Sequence, residues 1–252
     1  MSNTILYRVP SGVPGSITRP DNTVVESGFF NPTYPCTAFG QPVKMVSGLL
    51  RIPAANDAAS VFFGILARVA PSIAGDTLQT MTSGTPNVAS IQSVVKRGYV
   101  NVLCTVGTPV RSLPAYMRVV VNAPKAVGDW EATQDVTVAG GVITGTGTGT
   151  IAATVTAPVI AGTWSLVLQT TSQTSKVTVI DPNGVRHPDA TVGTAYSSGG
   201  LNFTITAAGT MTALDSFAPV VTNNNVAIPG VQWASDGVDA GLNAEIVILG
   251  LQ

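Results

Sequence analysis

VTVAGGVITGTGTGTIAATVTAP, residues 136–158, decides the fold together with the runs that follow it: GTWSLVLQT (162–170), SKVTVIDPNG (175–184) and LNFTITAAGTM (201–211). Apolar residues in these runs return at every second position, the side-chain period of a β-strand and not of a helix. Trp164, Leu166 and Leu168 fall on one face of one strand, and Val177 and Val179 on one face of the next. Between runs, Asp181-Pro182-Asn183-Gly184 is a turn, because Pro presets the backbone angle and Asn-Gly tolerates positive φ. Residues 135–220 read as a small antiparallel β-sandwich domain.

Working outward, the flanks are also β but differently built. In the first forty residues Pro10, Pro14, Gly15, Pro20, Gly28, Pro32, Pro35 and Gly40 recur every few positions. Prolines at this density remove backbone donors and forbid long helices, so residues 1–20 are expected to form an extended N-terminal arm that lies on a body or on a neighbour. VKMVSGLLRIP (43–53), SVFFGILARVA (60–70), ASIQSVVKRGYVNVLCTV (89–106) and AYMRVVVN (115–122) are strand-length apolar runs bounded by turn residues. The run at 58–70 also fits a short helix, since Val61, Ile65, Leu66 and Val69 follow helical spacing, but the β-branched and aromatic start favours a strand. After residue 220 the chain returns to this style and closes on AEIVILGL (244–251), an apolar strand of the kind that is buried. The expectation is an all-β protein: an antiparallel β-barrel or sandwich base domain, residues 21–134 plus 221–252, split by the insertion at 135–220.

The composition narrows the function. The 252 residues are 45% apolar and only 10% charged, with 26 Gly, 17 Pro and a net charge of -1. Ordinary soluble domains carry about 25% charge, so much of this surface is expected to be covered by protein partners. Twelve bases against thirteen acids exclude counterion-driven nucleic-acid binding as the main role. No run approaches the roughly 20 apolar residues of a spanning helix, and the N-terminus lacks a signal-peptide pattern, which points to synthesis in a cytoplasm and no membrane partner. Cys36 and Cys104, without a CxxC spacing, read as thiols in a reducing compartment.

Catalytic and metal constellations are hard to assemble from these residues. His187 is the only histidine; a Ser/His/Asp triad would pair it with Asp189 or Asp181, yet no Gly-x-Ser-x-Gly accompanies it, and a solvent-exposed turn residue is the simpler reading. One His and two distant Cys do not make a nitrogen/sulfur metal site, and Asp21, Asp236 and Asp239 lack the order of a calcium loop. GTGTGT has no following Lys or helix to bind phosphate, so it reads as a strand edge or hairpin. No enzyme activity, metal or cofactor is expected.

The ordered motifs of the insertion resemble a module of tailed-bacteriophage head decoration and other virion proteins: the Gly-Thr-Gly repeat at 145–149, Gly162-Thr163-Trp164, the Val-x-Asp-Pro-x-Gly run at 179–184, Gly193 to Tyr196, Phe203 to Thr206 and Asp215-Ser216-Phe217. VPGSITRP (13–20) and the closing apolar strand are similar to the podovirus-type structural cement proteins. The resemblance implies a virion protein on the outer capsid surface that binds the major capsid protein, stabilises the shell by bridging subunits, and associates as a homo-oligomer, a trimer or a dimer. Ten of the twelve bases precede residue 126, so the base domain is the expected docking face; the interface candidates are Tyr7, Arg8, Arg19, Lys44, Arg51, Arg97, Arg111 and Arg118. The alternative is a carbohydrate- or cell-surface-binding β-module of a virion, for which Trp130, Trp164 and Trp233 would be the stacking residues.

Overall fold

The computed structural model describes residues 13–68 and 85–250, and among them no α-helix occurs. The chain divides into two compact units: a base, Met1–Thr133 with Asn225–Gln252, and an insert, Gln134–Asn224. The all-β expectation holds in both.

The base begins with β1 (Ile17–Phe29), β2 (Pro42–Val46) and β3 (Leu49–Arg51). A 3-10 turn at Ala59–Val61 precedes β4 (Gly64–Ala67), so the ambiguous run at 58–70 resolves into one helical turn and a strand. The long β5 (Ile91–Val106), β6 (Pro114–Arg118) and β7 (Trp130–Glu131) follow. In the insert come β8 (Val136–Ala139), β9 (Thr150–Val155), β10 (Gly162–Thr163), β11 (Ser165–Leu168), β12 (Lys176–Ile180), β13 (Arg186–Thr191), β14 (Tyr196–Ser198), β15 (Leu201–Thr206), β16 (Ser216–Phe217) and β17 (Val220–Asn223). The chain then returns to the base as β18 (Asn225–Trp233) and β19 (Asn243–Ile248).

In the base, β5 pairs with β7, β7 with β6, β6 with β18, β18 with β19, and β19 back with β5, which closes a ring of strands. Closure leaves those strands without exposed edges. The first half of β5 carries two further neighbours, β1 on one edge and β4 on the other, with β2 and β3 continuing beyond β4. Period two explains why this half of β5 is so apolar: Val95 enters the ring's core with Ile65, Met117, Trp130 and Ile246, while its neighbour Val94 enters a second core with Phe30, Cys36, Leu50 and Leu66. Trp130 packs edge-on against Phe62, and its Nε1 donates to the Gly40 carbonyl at 2.8 Å.

Of the expected arm, residues 1–12 lie outside the described residues. The rest is part of the base: the Gly15 amide donates to the Asn101 carbonyl at 2.7 Å, the Asn101 amide to Ser16 at 3.0 Å, and Ile17 already opens β1.

The insert is built of three small sheets, β13-β12-β11-β16, β14-β15-β9 and β10-β17-β8, around one core that includes Trp164, Leu166, Leu168, Val177, Val179, Phe203 and Phe217. It runs to Asn224, past the expected return at 221, because β17 pairs in register with β8 from Val220↔Ala139 to Asn223↔Val136. Gln134 closes its entrance, donating to Val159 and Asn223 and accepting from the Val159 amide at 3.1 Å.

Candidate functional site

The eight candidate residues do not form one surface. Tyr7 and Arg8 lie outside the described residues. Arg118 is a correction: its side chain is 0% exposed, on β6, and its Nε donates to Glu131 Oε1 at 2.6 Å while Nη1 reaches the Val120 carbonyl at 3.2 Å. Glu131 is equally buried, and its other oxygen accepts from Asn225 Nδ2, which also reaches the Thr133 carbonyl at 2.8 Å. A charge this deep persists only when paired and fully hydrogen-bonded, so the network holds β6, β7 and β18 together and offers nothing to a partner. Lys44 is the second correction, buried on β2 and ion-paired with Asp57, whose carboxylate also takes the Ala54 amide. Arg51 is half-buried with its guanidinium 4.5 Å from the Tyr34 ring.

Three bases face solvent. Arg19 on β1 stacks 4.0 Å from the Tyr99 ring and pairs with Glu245 at 2.9 Å. Arg97 on β5 is exposed, with no ion pair or hydrogen bond to a described residue. Arg111, in the loop before β6, is exposed and lies 3.8 Å from Asp236, whose carboxylate also accepts the Arg111 amide. Arg19 and Arg97 therefore share the β1–β5 ribbon, and Arg111 stands apart.

Apolar side chains mark the same ribbon, and a search for charges misses them. Phe29 pairs directly with Ile91 and the two are 53% and 61% exposed; Val24 and Val25 are also exposed. The signal was in the doublets Val24-Val25 and Phe29-Phe30: neighbours on a strand point to opposite faces, so one of each pair must leave the core. Phe30 is buried and Phe29 is not.

In the insert, His187 is not an exposed turn residue. It sits on β13, half-buried, its ring 5.1 Å from that of Trp164, with Nε2 3.4 Å from Asp181 Oδ2 and Nδ1 3.4 Å from Ser198 Oγ. A serine, an imidazole and a carboxylate thus stand in line, a juxtaposition that sequence spacing hides. Both separations exceed the 2.6–3.2 Å reach of proton transfer, and the line ties the turn after β12 to β14. Asp181 lies under opposing influences: burial pushes its pKa up, but the Val185 amide, His187 and the Asn183 amide stabilise the carboxylate more and hold it below its ordinary 3.8.

The Gly-Thr-Gly repeat also has a local purpose. Asp215 is buried, with Oδ1 accepting the Thr146 amide and Oδ2 the Thr212 amide, both at 3.0 Å. A Cβ on Gly145 would stand 1.9 Å from that carboxylate, so only glycine lets the strand wrap it. Asp239 is likewise occupied, by the amides of Gly241 and Asn243, and no cluster able to hold a metal occurs among the described residues. Trp130, Trp164 and Trp233 are all buried, so none is presented for stacking on a sugar.

Residues 1–159 match the family model described as XM1 gp53 minor capsid protein. No curated protein and no solved structure matches the chain.

Proposed function

The chain belongs to the XM1 gp53 minor capsid protein family, a structural component of a phage virion associated with the capsid shell, and from that premise we propose that it is a cement protein. In this reading it has no active site; it binds the outer surface of the major capsid shell and bridges neighbouring subunits as a homo-oligomer. Phe29, Ile91, Val24 and Val25, exposed together on the β1–β5 ribbon beside Arg19 and Arg97, carry the proposal. Exposed apolar area rimmed by arginine is the composition of a protein-binding patch, with the aromatic supplying buried area and the guanidinium a planar fork for carboxylates. A bridge adds such contacts over several subunits, so individually weak ones act together.

The test is co-sedimentation of the purified protein with expanded shells that lack it, with shell rupture on heating as the second readout. Wild type is expected to saturate the shells and delay rupture. Phe29→Ser with Ile91→Ser, at exposed positions, is expected to lose at least tenfold in affinity while keeping its fold. Undiminished binding by that variant, or no binding by wild type, would overturn the proposal.

A further inference from the structure

The outer edge of β1 is a strand-pairing site, and we propose that residues 4–9 of a second copy of this chain occupy it. Such strand exchange would deepen the bridging role proposed above, and it rests on that role only for where the copies meet.

The acceptor is a short, regular stretch. β1 pairs with β5 along one edge, and from Val25↔Val95 to Phe29↔Ile91 the register runs without a break. At Phe30 the opposite edge meets Leu50 of β3, whose carbonyl accepts the Asn31 amide. Between residues 24 and 28 no strand among the described residues covers that edge. Farther toward the N-terminus the edge is spoiled: Pro20 has no N–H, and the register jumps from Arg19↔Tyr99 to Val24↔Arg97. This bulge is seated on Gly98, where a Cβ would come 2.6 Å from Thr23 Oγ1. Residues 24–28 contain neither proline nor lysine, and Val24 and Val25 expose apolar surface on both faces of the strand. An edge of this kind invites another strand.

The donor lies in the twelve residues that precede the described chain. Ile5, Tyr7 and Val9 alternate with Thr4, Leu6 and Arg8, and Pro10 closes the run, so a strand-length segment with one apolar face ends where its ladder must end. The attachment point argues for a second copy. Gly15 and Ser16 are hydrogen-bonded to Asn101, one residue beyond the Val100 that faces Ile17, so the chain continues past the end of β1, away from residues 24–28. Folding back within one chain would bring the segment first against Arg19 to Asn22, where the proline and the bulge refuse a ladder. Strand addition supplies main-chain hydrogen bonds for affinity, and the alternate side chains of the donor would cover Val24, Val25 and Phe29.

Cross-linking of full-length chains tests this. Glu26→Cys protein is mixed with Leu6→Cys, Tyr7→Cys or Arg8→Cys protein under mild oxidation, free in solution and on expanded shells. The native thiols are buried, and wild type is the control. Disulfide-linked dimers from at least one mixture, tenfold above the control, are expected, together with slowed amide exchange at residues 24–28 that rises with protein concentration. Disulfides that form only within a chain carrying both cysteines would overturn the exchange in favour of folding back. Absence of cross-links in every combination would overturn it outright. Shell binding is scored separately on the same chains: exchange without shell binding sinks the bridging role alone, and shell binding by chains that never cross-link sinks the exchange alone.

Discussion

Base and insert are both β-structures with apolar cores, yet they neutralise their buried acids by different means. In the base, Glu131 is answered by Arg118 and Asp57 by Lys44, side chain to side chain across strands far apart in sequence. In the insert, Asp215 is held by the amides of Thr146 and Thr212, and Asp181 by those of Asn183 and Val185. An ion pair between distant strands needs both partners, and a missing one leaves a buried charge. A carboxylate gripped by amides needs only that the backbone approach it, which is why glycines surround Asp215. The bases of the base domain are therefore partly internal bracing, and their clustering before residue 126 overstates how much charge faces outward.

The comparison breaks most visibly at Glu131. Glu131→Ala strands the Arg118 guanidinium in the core and is expected to cost about 3–5 kcal/mol. Differential scanning should show the base melting early while the insert's transition stays put; a single shared shift would mean that the two units are not separately stable. Arg118→Met combined with Glu131→Leu should recover most of that loss, since a buried pair replaced by apolar side chains is often neutral. In the insert the matching probe is Leu166→Ala, which empties a fully buried site facing Trp164 and Phe217 and should cost about 2–5 kcal/mol, with the base unmoved.

Acid sharpens the contrast further. Asp181 and Asp189 are both held below 3.8 in the folded insert, Asp189 by hydrogen bonds from Arg186 and Gln169. A folded pKa lower than the unfolded one contributes stability that is complete above the unfolded value and disappears as pH falls through the folded one. The insert should therefore lose stability below about pH 3.8. Asp181→Asn should lower stability at neutral pH and flatten this acid slope, as followed by Trp164 fluorescence against pH. An unchanged slope would show that the amides do not favour the ionised form.

The smallest effect is a reaction rate. Burial pushes the Cys36 thiol up to about 12 and raises that of Cys104, so at pH 8 neither should react with a thiol reagent until the base opens. Labelling at the rate of free cysteine would show that the base core is not closed as described.

Much of this was legible along the chain. Alternation at 162–170 and 175–184 is realised in β11 and β12, where Leu166 pairs with Val179 and Leu168 with Val177, because a strand with one buried face writes its period into the residues themselves. The long apolar run at 91–106 reads less cleanly, since its first half is buried on both faces and loses the alternation that would have assigned them. The return to the base was misplaced at 221, because Val220–Asn223 looks like either domain until its pairing with β8 is seen. Among the candidate residues, Arg19, Arg97 and Arg111 face solvent, whereas Arg118 and Lys44 do not, and nothing local to those two distinguishes them.

By itself, then, the sequence determined the β-class, the positions of turns such as Asp181 to Gly184 and the apolar faces of single strands, all of which depend on neighbours within a few residues. Only the tertiary structure decided which bases are bracing and which are surface, that Ser198, His187 and Asp181 stand in line, that the glycine repeat cradles Asp215, and that β1 keeps an open edge. Those outcomes turn on residues up to 94 positions apart, as with Glu131 and Asn225, and a contact at that range is set by strand order and register, which no local pattern records.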